Sequence, residues 1–176
     1  MPEISNNKNL TILAPAKVNL HLEVLGLRSD GFHELSMIMQ SINLNDKLFF
    51  NYRNDGVINL QVNNKNLTNG DDNLIIKAAK LLQKKADNIN LGVDICLYKN
   101  IPIGAGLAGG SSDAAATLYG LNLLWKLGYT IQKLEFISSS IGSDIPFCFE
   151  GGTQLCFGRG EILEKVSISN DSLMTS

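Results

Sequence analysis

The chain has no excess of positive charge and no run of basic residues. Its 176 residues include fifteen lysines and arginines against seventeen aspartates and glutamates, which gives a formal net charge of −2 at pH 7. Proteins that bind nucleic acid or anionic membrane surfaces usually carry a basic patch, because phosphate groups attract Lys and Arg. We therefore expect no nucleic acid and no membrane among the partners of this protein.

Long apolar segments and paired cysteines are missing as well. No stretch is apolar for the roughly 18 residues that a membrane-spanning helix requires, and residues 1–9 lack the apolar core of a signal peptide. Cys96, Cys148 and Cys156 are odd in number and show no C-x-x-C spacing, which argues against a disulfide framework and a zinc site. The sequence favours buried thiols in a reducing compartment. We expect the cytoplasm, or the plastid stroma if the source is a plant or alga, although no transit peptide is visible.

The pattern of apolar residues predicts one domain that mixes strands and helices. Alternation with a period of two predicts strands over residues 10–14, 18–25, 35–44, 47–52, 57–62, 91–98, 153–157 and 161–166. Apolar residues at helical spacing predict helices over residues 73–86 and 131–139, with another from about Ser111 to Leu127. No internal repeat, low-complexity tract or linker interrupts this pattern.

The segment from Ile101 to Asp113 is unusually rich in glycine. Four glycines fall within seven residues, at positions 104, 106, 109 and 110. Glycine permits positive φ angles and lets a ligand approach the backbone closely. The following Ser111 and Ser112 are typical of a helix start, where free N–H groups and the helix dipole attract negative charge. The segment therefore predicts a phosphate-binding site.

Two familiar phosphate-binding motifs fit this segment poorly. Its glycine spacing matches the dinucleotide fingerprint, but that motif needs a strand running directly into the first glycine, and Pro102 intervenes. A P-loop needs a lysine after its last glycine, whereas Gly110 is followed by Ser111. A tight turn without any ligand would need one or two glycines rather than four. We therefore favour an anion site of another kind.

The segment resembles the ATP-binding motif of the GHMP kinases, a family that includes galactokinase, homoserine kinase and mevalonate kinase. Residues 14–20 (Ala-Pro-Ala-Lys-Val-Asn-Leu), 28–35 (Arg-Ser-Asp-Gly-Phe-His-Glu-Leu) and 141–147 (Ile-Gly-Ser-Asp-Ile-Pro-Phe) also resemble sequences of this family. The resemblance implies an α+β fold of the ribosomal protein S5 domain 2-like type, with a mixed, mostly antiparallel sheet and helices on one face. It further implies that ATP is bound by Pro102, Ile103, Gly104, Ala105, Gly106, Leu107, Ala108, Gly109, Gly110, Ser111 and Ser112.

The resemblance also gives roles to Lys17 and Asp144. Transfer of the γ-phosphoryl group of ATP to an alcohol needs positive charge on the transferring group and an acceptor for the hydroxyl proton. By analogy with the family, Lys17 supplies the charge and Asp144 accepts the proton as the general base. Taken alone, Lys17 would also fit a solvated lysine at a strand end, and Asp144 would fit a turn or cap residue.

Three further residues are candidates for binding the substrate. Asn19 has the same strand parity as Lys17, so both side chains should lie on one face. Phe32 and His33 resemble the family's aromatic–histidine pair, which recognises a cytosine through stacking and a polar contact. The resemblance therefore implies phosphorylation of diphosphocytidyl methylerythritol on its 2-hydroxyl, with ATP and Mg²⁺. We assign no residue as a metal ligand, although Asp113 would either serve the first helical turn or reach the magnesium ion.

Members of the family normally continue into a second domain that closes the cleft. We expect residues 1–166 to form the N-terminal ATP-binding domain and residues 167–176 a polar tail, with the C-terminal GHMP domain absent and little activity in the chain alone. An apolar face left open in this way would favour a homodimer. Two alternatives stay open, namely another GHMP small-molecule kinase and a nucleotide-binding module without catalysis.

Overall fold

A single mixed sheet is the framework of the part of the chain that the computed structural model describes, which is residues 3–5, 9–64, 67–158, 160 and 162–166. The strands within these ranges are β1 (Glu3–Ser5), β2 (Asn9–Leu27), β3 (His33–Arg53), β4 (Ile58–Val62), β5 (Gly92–Tyr98), β6 (Thr153–Gly158) and β7 (Ile162–Lys165). The order is β1-β2-β3-β5-β4, and β6 pairs with β3 and β7. The β4–β5 pair is parallel, and the other described pairs are antiparallel. The predicted mixed, mostly antiparallel sheet is confirmed.

Strands β2 and β3 form a long antiparallel ribbon that the sequence pattern divided into shorter pieces. Each was predicted as two strands, with breaks near Pro15 and Asn45, and both predictions are wrong. Pro15 pairs with Asn45 and is followed by a shift in register, so the ribbon passes through this point as an irregularity instead of ending. Two more register shifts lie further along, between Asn19 and His21 and between Val24 and Gly26.

The helices cover one face of the sheet, as predicted. They are α1 (Leu74–Lys85), α2 (Gly109–Leu124), α3 (Ile131–Ser138) and α4 (Phe147–Glu150). The main core joins buried side chains from this sheet face to the apolar faces of α1 and α2, and it includes Leu48, Phe50, Ile95, Leu97, Leu82, Leu118 and Leu121. Burying each large apolar side chain stabilises the fold by roughly 1.5–3 kcal/mol. This packing fixes α2, and with it the glycine segment, against the sheet.

A smaller core holds the region around α4. Met37 and Met39 of β3 pack with Phe147 and Cys156, and all four side chains are at most 4% exposed. Phe147 therefore anchors the turn that precedes it, which contains Asp144. The three cysteines are free thiols; Cys156 is buried, as predicted, whereas Cys96 and Cys148 are half-buried. None of the described helices is long and apolar enough to cross a bilayer.

Candidate active site

Lys17 and Asp144 lie side by side, although they come from opposite ends of the chain. The Lys17 Nζ atom is 3.6 Å from Asp144 Oδ2. The Lys17 side chain is 7% exposed and the Asp144 side chain 32% exposed. A lysine so deeply buried needs a compensating negative charge, so a solvated lysine at a strand end is excluded. Asp144 remains open enough to meet a bound molecule.

Asn19 holds the Lys17 ammonium from the same strand. The Lys17 Nζ atom donates a hydrogen bond of 2.9 Å to Asn19 Oδ1, so the two side chains lie on one face of β2, as their parity predicted. The Asn19 side chain is exposed. Asn19 thus orients the ammonium and still presents polar atoms to solvent.

The backbone of Lys17 is tied directly to the glycine segment. Its N–H donates to the carbonyl oxygen of Leu107 at 3.1 Å. This contact occurs next to the register shift between Pro15 and Lys17, where the irregular pairing leaves the strand open to bonds with other segments. The segments that carry Lys17, Leu107 and Asp144 therefore meet at one place.

The glycine segment forms an exposed loop that leads directly into α2. Residues 102–106 are exposed, and Gly104 and Gly106 have φ angles of 72° and 73°. A Cβ atom added at either glycine would meet no other atom within 4 Å. These glycines are therefore needed for their backbone conformation, and the space above them is free for a ligand.

Helix α2 begins earlier than the sequence pattern predicted. It starts at Gly109, and its N-cap is Ala108, which has a left-handed φ of 52° and makes no side-chain capping bond. The predicted start at Ser111, with serine as the cap, is wrong because the left-handed turn at Ala108 already sets the helical path. The first N–H groups of an α-helix have no partner within the helix. Here those of Gly109, Gly110 and Ser111 point the positive end of the dipole toward the loop.

Three buried charged side chains lie beneath this loop, and the sequence analysis missed two of them. The Lys99 ammonium contacts Asp46 Oδ2 and also lies 2.9 Å from Asp113 Oδ2. Asp113 was considered for the first helical turn or for magnesium, but its side chain is 4% exposed and faces Lys99. Burial is the main cause that raises the pKa of Asp113 to about 7, and Lys99 opposes the rise. The sequence contains one indication of this buried cluster, which is that Lys99 and Asp113 flank the glycine loop.

The Cys148 thiol and the Ser112 hydroxyl also lie near the loop, and neither is ionised at neutral pH. Burial raises the pKa of the Cys148 thiol to about 12, so it stays protonated at neutral pH. The Ser112 hydroxyl is buried and has no hydrogen-bond partner within the described part of the chain. Both residues line a cleft of about 430 Å³ between β2 and α2, which includes none of the other predicted ATP contacts. Cavity size alone would therefore not locate the predicted site.

Phe32 and His33 line a second cleft, of about 330 Å³, together with Val24, Leu35 and Ser143. Ser143 directly precedes Asp144, so the predicted cytosine contacts share a cleft with the turn that carries the predicted general base. The turn before Phe32 is fixed locally, because the backbone N–H of Phe32 donates a hydrogen bond of 3.1 Å to Asp30 Oδ1. Phe32 as a whole residue is 52% exposed. Its ring can therefore stack on a flat ligand.

Comparisons with known proteins show which families and proteins the chain resembles. Residues 73–152 match the family model described as the GHMP kinases N terminal domain. A relative from Prochlorococcus marinus (strain NATL2A), named 4-diphosphocytidyl-2-C-methyl-D-erythritol kinase, is 65% identical over 173 residues, which is 98% of this chain and 54% of the relative. A protein of the same name from Synechococcus sp. (strain CC9902) is 60% identical over 93% of this chain and 53% of its own length. The chain thus spans about half the length of the curated relatives it matches.

Two solved structures superpose on most of this chain. A crystal structure of 4-(cytidine 5'-diphospho)-2C-methyl-D-erythritol kinase superposes with a TM-score of 0.75 at 36% identity, over 90% of this chain and 56% of that one. The Methanococcus jannaschii mevalonate kinase superposes with a TM-score of 0.71 at 16% identity, over 93% of this chain and 57% of that one. At that identity the second match shows the fold alone.

Proposed function

We propose that the chain is the N-terminal domain of a GHMP kinase and carries the nucleotide site and the catalytic pair of a small-molecule kinase, a proposal supported by the match of residues 73–152 to the family model and by the superposition on a solved kinase of similar sequence. The proposed reaction is transfer of the γ-phosphoryl group of ATP to the 2-hydroxyl of 4-diphosphocytidyl-2-C-methyl-D-erythritol. The observation that carries the proposal is the position of Lys17, which contacts both Asp144 and the backbone of the glycine loop.

The loop from Pro102 to Ser112 is the proposed cradle for the phosphates of ATP. Gly104 and Gly106 adopt positive φ angles with open space beside them, and the N–H groups at the start of α2 attract negative charge. Phosphoryl transfer depends mostly on positioning and on electrostatic stabilisation of the transferring group. A rigid set of backbone donors beside a buried ammonium provides both.

Asp144 is the proposed general base. An aspartate is too weak a base to deprotonate a free alcohol, but it can accept the proton while the bond to phosphorus forms, if it lies within hydrogen-bond reach. Its partly exposed carboxylate can approach a hydroxyl, and the neighbouring Lys17 ammonium favours its ionised form and stabilises charge on the phosphoryl oxygens.

The cleft at Phe32 and His33 is the proposed site for the cytosine of the substrate. An exposed aromatic ring stacks on a base, and an imidazole edge can form a hydrogen bond with its polar edge. Phenylalanine keeps the stacking surface and offers no hydroxyl. Because this cleft extends to Ser143, a bound cytidine diphosphate would direct the alcohol toward Asp144.

Magnesium is proposed as the companion of ATP, where it would neutralise charge on the phosphate oxygens. Mg²⁺ is usually held by one or two carboxylates together with the phosphates themselves. Within the described ranges no group of three or more His, Cys, Asp or Glu side chains could hold a metal ion, which fits an ion held mainly by the nucleotide. Asp144 offers the exposed carboxylate nearest to Lys17, whereas the Asp113 carboxylate is buried against Lys99.

A comparison of alcohol substrates, each assayed separately, tests the proposal. The assay would use this chain and a chimera in which the Prochlorococcus relative supplies the part beyond its matched region, each with Mg-ATP and one alcohol at a time. We expect the chimera to release ADP with the diphosphocytidyl substrate and not with mevalonate or homoserine, and the chain alone to turn over little. Equal rates with mevalonate or homoserine would indicate another GHMP kinase. ATP binding by the chimera without transfer to any alcohol would indicate a binding module.

Two further expectations remain predictions. The residues proposed for catalysis and binding suit a cytoplasmic or plastid enzyme, because ATP is abundant there. Leu20, Leu22 and Val24 of β2 are each more than half exposed, which would suit the predicted homodimer. Sedimentation of the purified chain would test the dimer.

A further inference from the structure

We propose that Lys99 is a positioning residue for the nucleotide loop, because its buried ammonium joins the side chain that fixes the entrance of the loop to the side chain at its exit. This inference rests on the proposed function of the loop. It concerns a residue that does not touch the nucleotide and that acts through Asp46 and Asp113.

The entrance of the loop is held by Asp46 of β3. This side chain is fully buried, and its Oδ1 atom accepts hydrogen bonds from the backbone N–H groups of Asn100 at 2.6 Å and Ile101 at 2.9 Å. The Asn100 side chain adds a bond of 2.8 Å to the carbonyl oxygen of Asn45. The chain that enters the glycine loop is thereby fastened to β3.

The exit of the loop is held by Asp113 in the first turns of α2. The Lys99 Nζ atom lies 2.9 Å from Asp113 Oδ2 and also contacts Asp46 Oδ2. Lys99 therefore connects β3 to α2 directly beneath the loop. If this bridge were lost, the start of α2 could shift relative to the loop entrance. A misplacement of about 1 Å can cost a catalyst on the order of a hundredfold in rate.

Gly109 shows how closely Lys99 packs under the helix start. A Cβ atom added at Gly109 would lie 2.9 Å from Lys99 Nζ and 2.9 Å from Ile101 Cγ2. Gly109 is not one of the described glycines that have a positive φ angle. This glycine is thus required for space, and the space it leaves is filled by the lysine and by the side chain at the loop entrance.

The charge balance of the cluster also favours positioning over stability as its role. The buried Lys99 ammonium faces two buried carboxylates, those of Asp46 and Asp113. Burial raises the pKa of Asp113 to about 7. Buried ion pairs contribute little net stability compared with apolar packing, because removing charges from water is costly. What such a cluster provides is one defined arrangement of the segments it joins. The N–H groups that bind phosphate require a defined arrangement of this kind.

Three variants separate positioning from stability. Lys99→Met removes the ammonium and keeps most of the volume, Asp113→Asn removes the carboxylate at the loop exit, and the double variant leaves no uncompensated Asp113. Lys80→Met is the matched control, because Lys80 forms an exposed ion pair with Asp71 on the surface of the protein. Each protein would be examined by urea unfolding, by ATP calorimetry and by amide hydrogen exchange of residues 103–110 without nucleotide.

We expect Lys99→Met to raise the dissociation constant of ATP about tenfold or more and to speed amide exchange in the loop, while Lys80→Met changes neither. The double variant should regain part of the lost stability, because only the Asp46 carboxylate then stays uncompensated, and it should still bind ATP weakly. Wild-type ATP affinity and wild-type loop exchange in the double variant would overturn the inference, because Lys99 would then act through stability alone. If the unmodified chain itself fails to bind ATP, the proposed function is wrong, and loop exchange in the variants still decides the role of Lys99.

Discussion

The ammonium nitrogen of Lys17 lies 3.6 Å from Oδ2 of Asp144, and the backbone N–H of the same lysine donates to the carbonyl oxygen of Leu107 at 3.1 Å. One residue therefore contacts both the proposed general base and the proposed phosphate loop. Its side chain can change without removing the contact to the loop, since that contact is made by the backbone. This separation allows charge and loop position to be tested independently.

Replacing Lys17 with methionine should lower turnover strongly and leave ATP affinity nearly unchanged. The substitution removes the positive charge at the transferring phosphoryl group, and the loss of one such electrostatic contact typically costs about 10²–10³ in rate. Steady-state kinetics of the chimera together with ATP calorimetry would measure both effects. Near-normal turnover in this variant would remove Lys17 from the catalytic pair.

Gly106→Val should weaken ATP binding far more than the same substitution at Gly128. Both glycines have nearly equal φ angles, 73° and 71°, and an added Cβ would meet no other atom within 4 Å at either position. Both variants therefore carry a similar backbone penalty of at least about 1–2 kcal/mol. Calorimetry of both variants would compare them after urea unfolding has shown that each is folded. Equal ATP affinity in the two variants would place the phosphate cradle elsewhere.

Phe32→Ala should raise KM for the diphosphocytidyl substrate and leave the affinity for ATP unchanged. Loss of base stacking typically costs about 1–3 kcal/mol, which is roughly 5- to 150-fold in KM. Phe136→Ala is the matched control, because Phe136 on α3 is 75% exposed and lines neither cleft. If the two variants show the same KM, the cytosine does not bind at Phe32.

The stability of the protein should depend on pH through Asp113. Burial raises the pKa of this carboxyl from its ordinary value of 3.8 to about 7 in the folded state, so the folded protein holds the proton more tightly than the unfolded chain. The contribution of this group is therefore complete below about pH 4 and is lost as the pH rises to 7 and above. The Lys99 and Asp46 charges face it within the cluster.

Urea unfolding at pH 4, 5.5 and 7.5 would measure this effect against Asp113→Asn, which cannot titrate at this position. We expect the free energy of unfolding of the unmodified protein, relative to the variant, to fall by roughly 1–4 kcal/mol between pH 4 and 7.5. A difference between the two proteins that stays constant over this range would mean that Asp113 is ionised throughout.

Much of the fold could be predicted from local patterns. The alternation of apolar residues located strands β2 to β7, although it divided β2 and β3, and it missed β1. The helical spacing located α1 and α3, because each of these patterns reports the face that an element buries. The apolar pattern predicts a strand end at residue 14, just before Pro15. The actual place of Pro15 at an irregular point of the β2–β3 pairing depends on register, which no local pattern contains.

The candidate site, like the fold, could be predicted from the sequence only in part. The glycine loop could be recognised because its spacing is local, and the shared face of Lys17 and Asn19 followed from their parity. The role of Lys17 and its approach to Asp144 were implied only by resemblance to the GHMP kinases. The buried cluster was missed because Asp46 is far from Lys99 in sequence and meets it only after β3 packs beneath the loop. The helix start at Gly109 was missed because Ala108, which is not a glycine, takes a left-handed conformation.

Asp144→Asn in the chimera tests the central claim most directly. The measurement is the rate of phosphoryl transfer from ATP to the diphosphocytidyl substrate with the enzyme in excess, which reports the chemical step and not product release. The asparagine keeps the shape of the side chain and cannot accept a proton. We predict that transfer slows by about 10²–10⁴ while the ATP dissociation constant stays within about threefold of the unmodified value. Transfer at the unmodified rate would contradict the account, because the catalytic pair at the glycine loop would then not be Lys17 and Asp144.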